Sequence, residues 1–246
     1  MENQNNAFIN DDKKAVYGCV NGILMYDLIW PWFGVLILKL FLQSNYANMV
    51  DNHYYTMNTI LMIITSLITM AAAIFIAKPK CLLNAYKKID SSNVKFIFKC
   101  FLLMFVANYI YNLILLLSGV PIGGGNANQN TAVEMMNNSR FLSFIAMVII
   151  APVLEEITYR YFLFGGIAKY NRKWAIVISG FVFMCVHAVA SFSQPVDSIF
   201  REILLLPPYM FSGMVLAYSY DKTENLAIPT SIHTLNNLIS FIISTL

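Results

Sequence analysis

The stretch FLSFIAMVIIAPVLEEITYRYFLFGGIA, from Phe141 to Ala168, decides how the chain is read. It is apolar for longer than the roughly 20 residues that carry a helix across a bilayer, yet Glu155, Glu156 and Arg160 fall within six residues near its middle. An ionised side chain at the centre of a spanning helix costs about 2.5 to 3.5 kcal/mol on insertion scales, so a group of three asks for a reason. On both sides the same texture repeats, long apolar runs with brief polar breaks. The length criterion gives about seven spanning segments: Val16 to Leu42, Met57 to Ala77, Phe96 to Leu117, Phe141 to Ala168, Trp174 to Phe192, Ile199 to Tyr218, and Leu226 to Leu246.

Composition agrees. With 58% hydrophobic and 12% charged residues and a mean hydropathy of +0.61, the chain has too little polar surface to close a water-soluble globule. The expected fold is all-α, a polytopic bundle of about seven transmembrane helices in a single helical membrane domain over residues 1–246, without internal repeat or linker. The residues up to Lys14 lead into an apolar run longer than the core of a signal peptide, so the first segment is expected to stay in the mature protein. Cys19, Cys81, Cys100 and Cys185 show neither CxxC nor zinc-finger spacing, and no structural disulfide is expected.

Orientation follows from the basic residues, because short cytoplasmic loops keep Lys and Arg. Lys78, Lys80, Lys87, Lys88 and Lys95 follow the second segment, and Lys169, Arg172 and Lys173 follow the fourth. The stretches from Gln43 to Thr56 and from Ser118 to Ser139, the second read as a Gly- and Asn-rich loop, hold neither Lys nor Arg and belong outside. Lys13 and Lys14 then put the amino terminus in the cytoplasm. The net charge of +3 therefore concerns orientation, and no nucleic-acid partner is expected.

Two of the three histidines, His187 and His233, also lie in apolar segments. His187 follows Phe183 by four residues and His233 precedes Asn237 by four, so each pair shares a helix face. Depth relates them to the carboxylates. Glu155 is fourteen residues from Lys169 and His187 fourteen from Lys173, about 21 Å along each helix from one basic loop, while His233 is eleven from Lys222, about 16 Å. Glu156 and Arg160 are i,i+4 neighbours able to pair, whereas Glu155 points about 100° away from Glu156. Taken singly, each of these residues reads as buried polar glue between helices. At one depth they form a constellation suited to chemistry. Asp27, beside Trp30, Pro31 and Trp32, has a place on a substrate path as one reading, but the interface reading is favoured and it is left outside the site.

Glu155 to Arg160 looks like an EExxxR motif, Phe183 to His187 like FxxxH, and His233 to Asn237 like HxxxN, in that order. In these three motifs the chain resembles the CAAX-protease and bacteriocin-processing (CPBP, or Abi) family of intramembrane peptidases over about residues 141–246. The resemblance implies an endopeptidase that hydrolyses a peptide bond of a membrane-associated peptide or protein. Glu155 would activate water, Glu156 and Arg160 would support it electrostatically, His187 would orient the water, and His233 and Asn237 would donate hydrogen bonds to the oxyanion. Glu155, His187 and His233 are also candidate ligands for a divalent metal such as zinc. There is no HExxH, and the metal-independent glutamate reading is favoured. Implied partners are the lipid bilayer and a leader peptide, signalling peptide or bacteriocin; the implied setting is a bacterial plasma membrane.

The rival readings are a non-proteolytic immunity or abortive-infection protein of the same fold and a transporter. The intact motifs speak against the first. No paired broken helices support the second. Cys185 points about 200° from His187, and no GxSxG supports a serine nucleophile.

Overall fold

A computed structural model of the chain describes residues 8–9, 11–29, 36 and 51–245, apart from the side chains at 51–54, 193 and 197. Trp30, Pro31, Trp32 and residues 43–50, which carried part of the sequence reading, lie outside the described residues. The described residues are helical, with no strand among them. In chain order the helices are α1 (Asp12–Cys19, continued by π-wound turns Val20–Ile29), α2 (Asp51–Ala77), α3 (Pro79–Ala85), α4 (Ser91–Leu117) and α5 (Ala127–Asn138). They continue as α6 (Arg140–Ala168), α7 (Arg172–His187), α8 (Val196–Leu204), α9 (Pro207–Thr223) and α10 (Ala227–Thr245).

Five stretches among the described residues are long and apolar enough to cross a membrane: Tyr55–Ala77, Ser91–Leu117, Arg140–Ala168, Arg172–Phe192 and Ser198–Thr223. They match the second to sixth expected segments. The first is described only in part. The seventh forms α10, whose Thr230, Ser231, His233, Thr234, Asn236, Asn237 and Ser240 dilute its apolar run. The sixth segment is not one straight helix. Leu205 and Leu206 interrupt it ahead of Pro207 and Pro208, because proline has no N–H for the ladder and disfavours helical geometry in the residue before it.

The expected loop from Ser118 to Ser139 is also half helix. Asn126 caps α5 by accepting from the Gln129 N–H at 3.0 Å while the Gln129 side chain accepts from the Asn126 N–H at 3.0 Å, a reciprocal box. The turn before it needs Gly119, Gly124 and Gly125, all at positive φ. Arg201 on α8 holds that turn through the carbonyls of Pro121, Gly123 and Gly125. Glu202 accepts from the Ala127 N–H at 2.9 Å and the Ser191 hydroxyl at 2.8 Å.

At the opposite end the basic loops gather. Lys169 bonds Asp12 and holds its carboxyl below the usual carboxylate range. Arg172 reaches Asp221 at 3.3 Å and Glu224 at 3.1 Å, and Asn225 accepts from the Lys87 N–H at 2.8 Å. Small residues let the helices between these ends close up. A Cβ on Gly213 of α9 would sit 2.9 Å from the Gly180 Cα of α7, so the two backbones touch where they cross. Cys19, Cys81, Cys100 and Cys185 are free.

Candidate active site

Helix α6 changes its winding twice around the acidic pair, being π-wound over Phe144–Ile150 and Ile157–Phe164 and α-wound over Ala151–Glu156 between them. Such bulges re-aim side chains and gather at functional sites. Pro152 explains part of the pattern. The Ala151 N–H reaches back to the Ala146 carbonyl, and Pro152 has no N–H to give to the next carbonyl, that of Met147. Asn237 of α10 donates its Nδ2–H there at 2.9 Å. The motif asparagine therefore braces the turn below Glu155 and keeps one amide hydrogen for another partner.

Glu156 is fully buried and doubly engaged. Its Oε2 lies 3.0 Å from Arg160 Nε, and neither side chain is exposed. The N–H does not align on that oxygen, so this is a charge contact rather than a formed hydrogen bond. Arg160 also donates to the Gly213 carbonyl at 3.2 Å, and its Cζ lies 5.0 Å from the centre of the Phe183 ring, a cation–π distance. The other oxygen, Glu156 Oε1, is 2.8 Å from His233 Nδ1. A carboxylate held by arginine accepts, so Nδ1 donates, and in the neutral tautomer Nε2 is a lone pair.

Glu155 is different. Its Oε2 is buried without a hydrogen-bond partner, 3.8 Å from His233 Nε2. It lines a cavity of about 1120 Å³ together with Asp27, His187, Tyr209, His233 and Asn237. Glu156 and Arg160 stand behind that wall. His187 Nδ1 is 2.7 Å from the Phe183 carbonyl; a carbonyl only accepts, so Nδ1 donates and Nε2 is again the free nitrogen. Tyr209 stacks on the His187 ring at 4.3 Å. Phe183 contacts both histidines, with ring centres 4.5 Å from His187 and 5.8 Å from His233.

Thus α6, α7 and α10 bring Glu155, Glu156, Arg160, His187, His233 and Asn237 into one neighbourhood. Asp27 differs from the sequence reading. It lines the same cavity and accepts a hydrogen bond from the Tyr159 hydroxyl. Tyr209 and the α5 residues 128–133, 135 and 136 that line the cavity were also missed. Among the described residues no three His, Cys, Asp or Glu side chains converge as a metal would require. His233 turns Nδ1 to Glu156 and Nε2 towards Glu155.

A helical membrane protein with a cavity walled by a carboxylate and two imidazoles, and with a compensated ion pair behind that wall, defines the class. Residues 137–239 match the family described as type II CAAX prenyl endopeptidase Rce1-like. It is 30% identical over 148 residues to the membrane-embedded CAAX protease MroQ of Staphylococcus aureus (strain USA300), covering 58% of this chain and 56% of that protein. It is 28% identical over 192 residues to the UPF0177 protein YaiF of Lactococcus lactis subsp. lactis, covering 75% and 80%. With the putative membrane peptidase YdiL of Bacillus subtilis the identity is 30% over 117 residues, 47% and 43% of the two chains. The matched length is thus about half of MroQ and less of YdiL. No solved structure matches the chain.

Proposed function

We propose that the chain is an intramembrane endopeptidase in which Glu155 activates water against a peptide carbonyl. The observation that carries this reading is the contrast between the two glutamates. Glu156 is held by Arg160 and His233, whereas Glu155 Oε2 has no hydrogen-bond partner and its residue lines the cavity. A base must be free to take a proton. His187 Nε2 serves as a second acceptor that orients the water. The hydroxide adds to the carbonyl, and the remaining Asn237 amide hydrogen is the donor available to the oxyanion. In the neutral tautomer His233 offers no donor at Nε2. It supports the oxyanion or the leaving amine only after taking up the proton that Glu155 removed, across the 3.8 Å that separates them. Glu156 then steadies the imidazolium, as a carboxylate steadies the base in a serine triad. The peptide nitrogen leaves with that proton, and no step is routed through a metal.

The substrate is a membrane-associated peptide or protein, brought in as an extended stretch because a helical backbone shields its carbonyls. With the amino terminus in the cytoplasm, the basic end of the bundle faces inward. The test is comparative peptidomics of bacterial cells expressing the wild type or Glu155→Gln at equal membrane levels. Peptides that depend on Glu155 are expected, and their termini map the bond. Identical peptidomes would overturn the reading.

A further inference from the structure

The first helix carries a pair of glycines, Gly18 and Gly22, one turn apart. A Cβ on Gly18 would lie 2.2 Å from ring carbons of Phe162, and one on Gly22 would lie 2.2 Å from Thr158 Cγ2 and Oγ1. The α1 backbone therefore rests directly on α6, an approach that only glycine permits. The two chains run in opposite senses, since Gly18 to Gly22 ascends while Phe162 to Thr158 descends. Continuing that register, Asp27 is five residues beyond Gly22 and Glu155 three residues before Thr158. The two meet at the wall of one cavity.

Asp27 is fixed there by Tyr159, whose hydroxyl donates to Asp27 Oδ2. Tyr159 lies one turn beyond Glu155 on α6, is fully buried, and packs edge-on against Phe183 at 5.2 Å. The turn that holds Tyr159 is π-wound, a winding that is rare and short because its backbone bonds hold it less well than an α-turn's. A side-chain anchor is what such a turn needs to keep one register. On another side of α1, the Asn21 Nδ2–H donates to the Thr69 carbonyl at 2.9 Å, so the helix that offers the anchor is itself tied down.

We infer that Asp27 is a positioning residue of the active site: by accepting the Tyr159 hydroxyl it fixes the π-wound turn of α6 next to Glu155, making the first helix part of the catalytic apparatus. The inference rests on the role proposed for Glu155. It assigns to Asp27 an acceptor's task, so charge is dispensable and an oxygen is not. Asn keeps that oxygen and Leu removes it at similar size. Tyr159→Phe removes the donor alone.

The experiment uses the full chain in lipid nanodiscs and a fluorogenic peptide spanning the Glu155-dependent bond mapped by peptidomics. Asp27→Asn is expected to keep kcat within about threefold of wild type. Asp27→Leu and Tyr159→Phe should each lower kcat about 10- to 100-fold, the scale of a small misplacement of a reacting group, with KM within about twofold. The double variant should be no worse than the poorer single one, because both remove the same bond. A purely structural role would instead lower the amount of folded protein and leave kcat per folded molecule unchanged. Wild-type kcat in Tyr159→Phe, additive losses in the double variant, or Asp27→Asn as poor as Asp27→Leu would each overturn the assignment. Cleavage by the wild type that persists in Glu155→Gln would overturn the peptidase mechanism, and with it this role for Asp27.

Discussion

Replacing Glu156 by Gln and Arg160 by Met together should damage the protein less than the two single losses would suggest. The two groups lie 3.0 Å apart with no exposure. At an effective dielectric of about 20, Coulomb's law gives an attraction of roughly 5 to 6 kcal/mol at that distance, against which desolvation of both ions must be set. Glu156→Gln still accepts from His233 Nδ1 but removes the charge in contact with the guanidinium, which keeps the Gly213 carbonyl, the rings of Phe183 and Tyr159 and the more distant Glu155. Stranding a buried charge costs about 3 to 5 kcal/mol. Arg160→Met strands the carboxylate instead and loses the cation–π contacts as well. The double variant strands neither ion and should fall short of the sum of the singles by about 2 to 4 kcal/mol, the size of coupling expected for buried partners. Thermal unfolding in nanodiscs, together with the amount of protein in the membrane fraction, measures the cycle. Additivity within about 0.5 kcal/mol would show that the pair contributes no coupling and that Glu156 is held by His233 alone.

Glu155→Ala and His187→Ala should abolish processing while accumulating normally, because the Glu155 oxygen towards His233 and the His187 Nε2 are the atoms left without a structural partner; near wild-type turnover at matched expression would remove that residue from the catalytic set. Gly22→Val should lower the thermal midpoint by overpacking against Thr158, at a cost of about 1 to 3 kcal/mol, and an unchanged midpoint would mean that α1 does not seat on α6. Glu202→Ala should loosen α5 by removing the acceptor for the Ala127 N–H and the Ser191 hydroxyl; protection of the Ala127–Asn138 amides from hydrogen exchange equal to wild type would contradict it. With native cysteines replaced, a cysteine at exposed Asn130 should react with an impermeant thiol reagent on intact cells and one at exposed Lys173 only after the membrane is opened, whereas the reverse pattern would invert the proposed orientation.

Residue type and spacing made the spanning helices legible because a bilayer leaves few alternatives. A run of apolar residues in lipid must satisfy its backbone internally, and a helix does that from local sequence alone. Similar distances from basic loops, about 21 Å for Glu155 and His187 and about 16 Å for His233, put the three near one level, since rise per residue is nearly constant along helices. The same arithmetic was blind to what Pro152 does. It left one carbonyl, Met147, without a helical donor, and Asn237 fills that gap from another helix. No local reading joins residue 147 to residue 237.

The cover over the cavity and the role of the first helix were written in signals of a different kind. Asn126 and Gln129 form a capping box legible at three-residue spacing, but it sits in a Gly- and Asn-rich stretch whose composition suggested a loop. Gly18 and Gly22 form the four-residue glycine spacing that lets membrane helices touch, yet this spacing names no partner. Gly18 faces Phe162 and Gly22 faces Thr158 because both helices present that face, and the opposed chain directions then carry Asp27 to Tyr159. An acidic residue near expected interface aromatics looks like an edge residue until the register of a second helix is known. Its depth is set by the seam, not by its distance from the end of its own segment. The same reasoning applies to Glu155: its free oxygen is not a property of the EExxxR pattern but of Arg160 and His233 both turning to Glu156. Which of two adjacent glutamates is left available is decided by helices α6 and α10 meeting, and that meeting is tertiary.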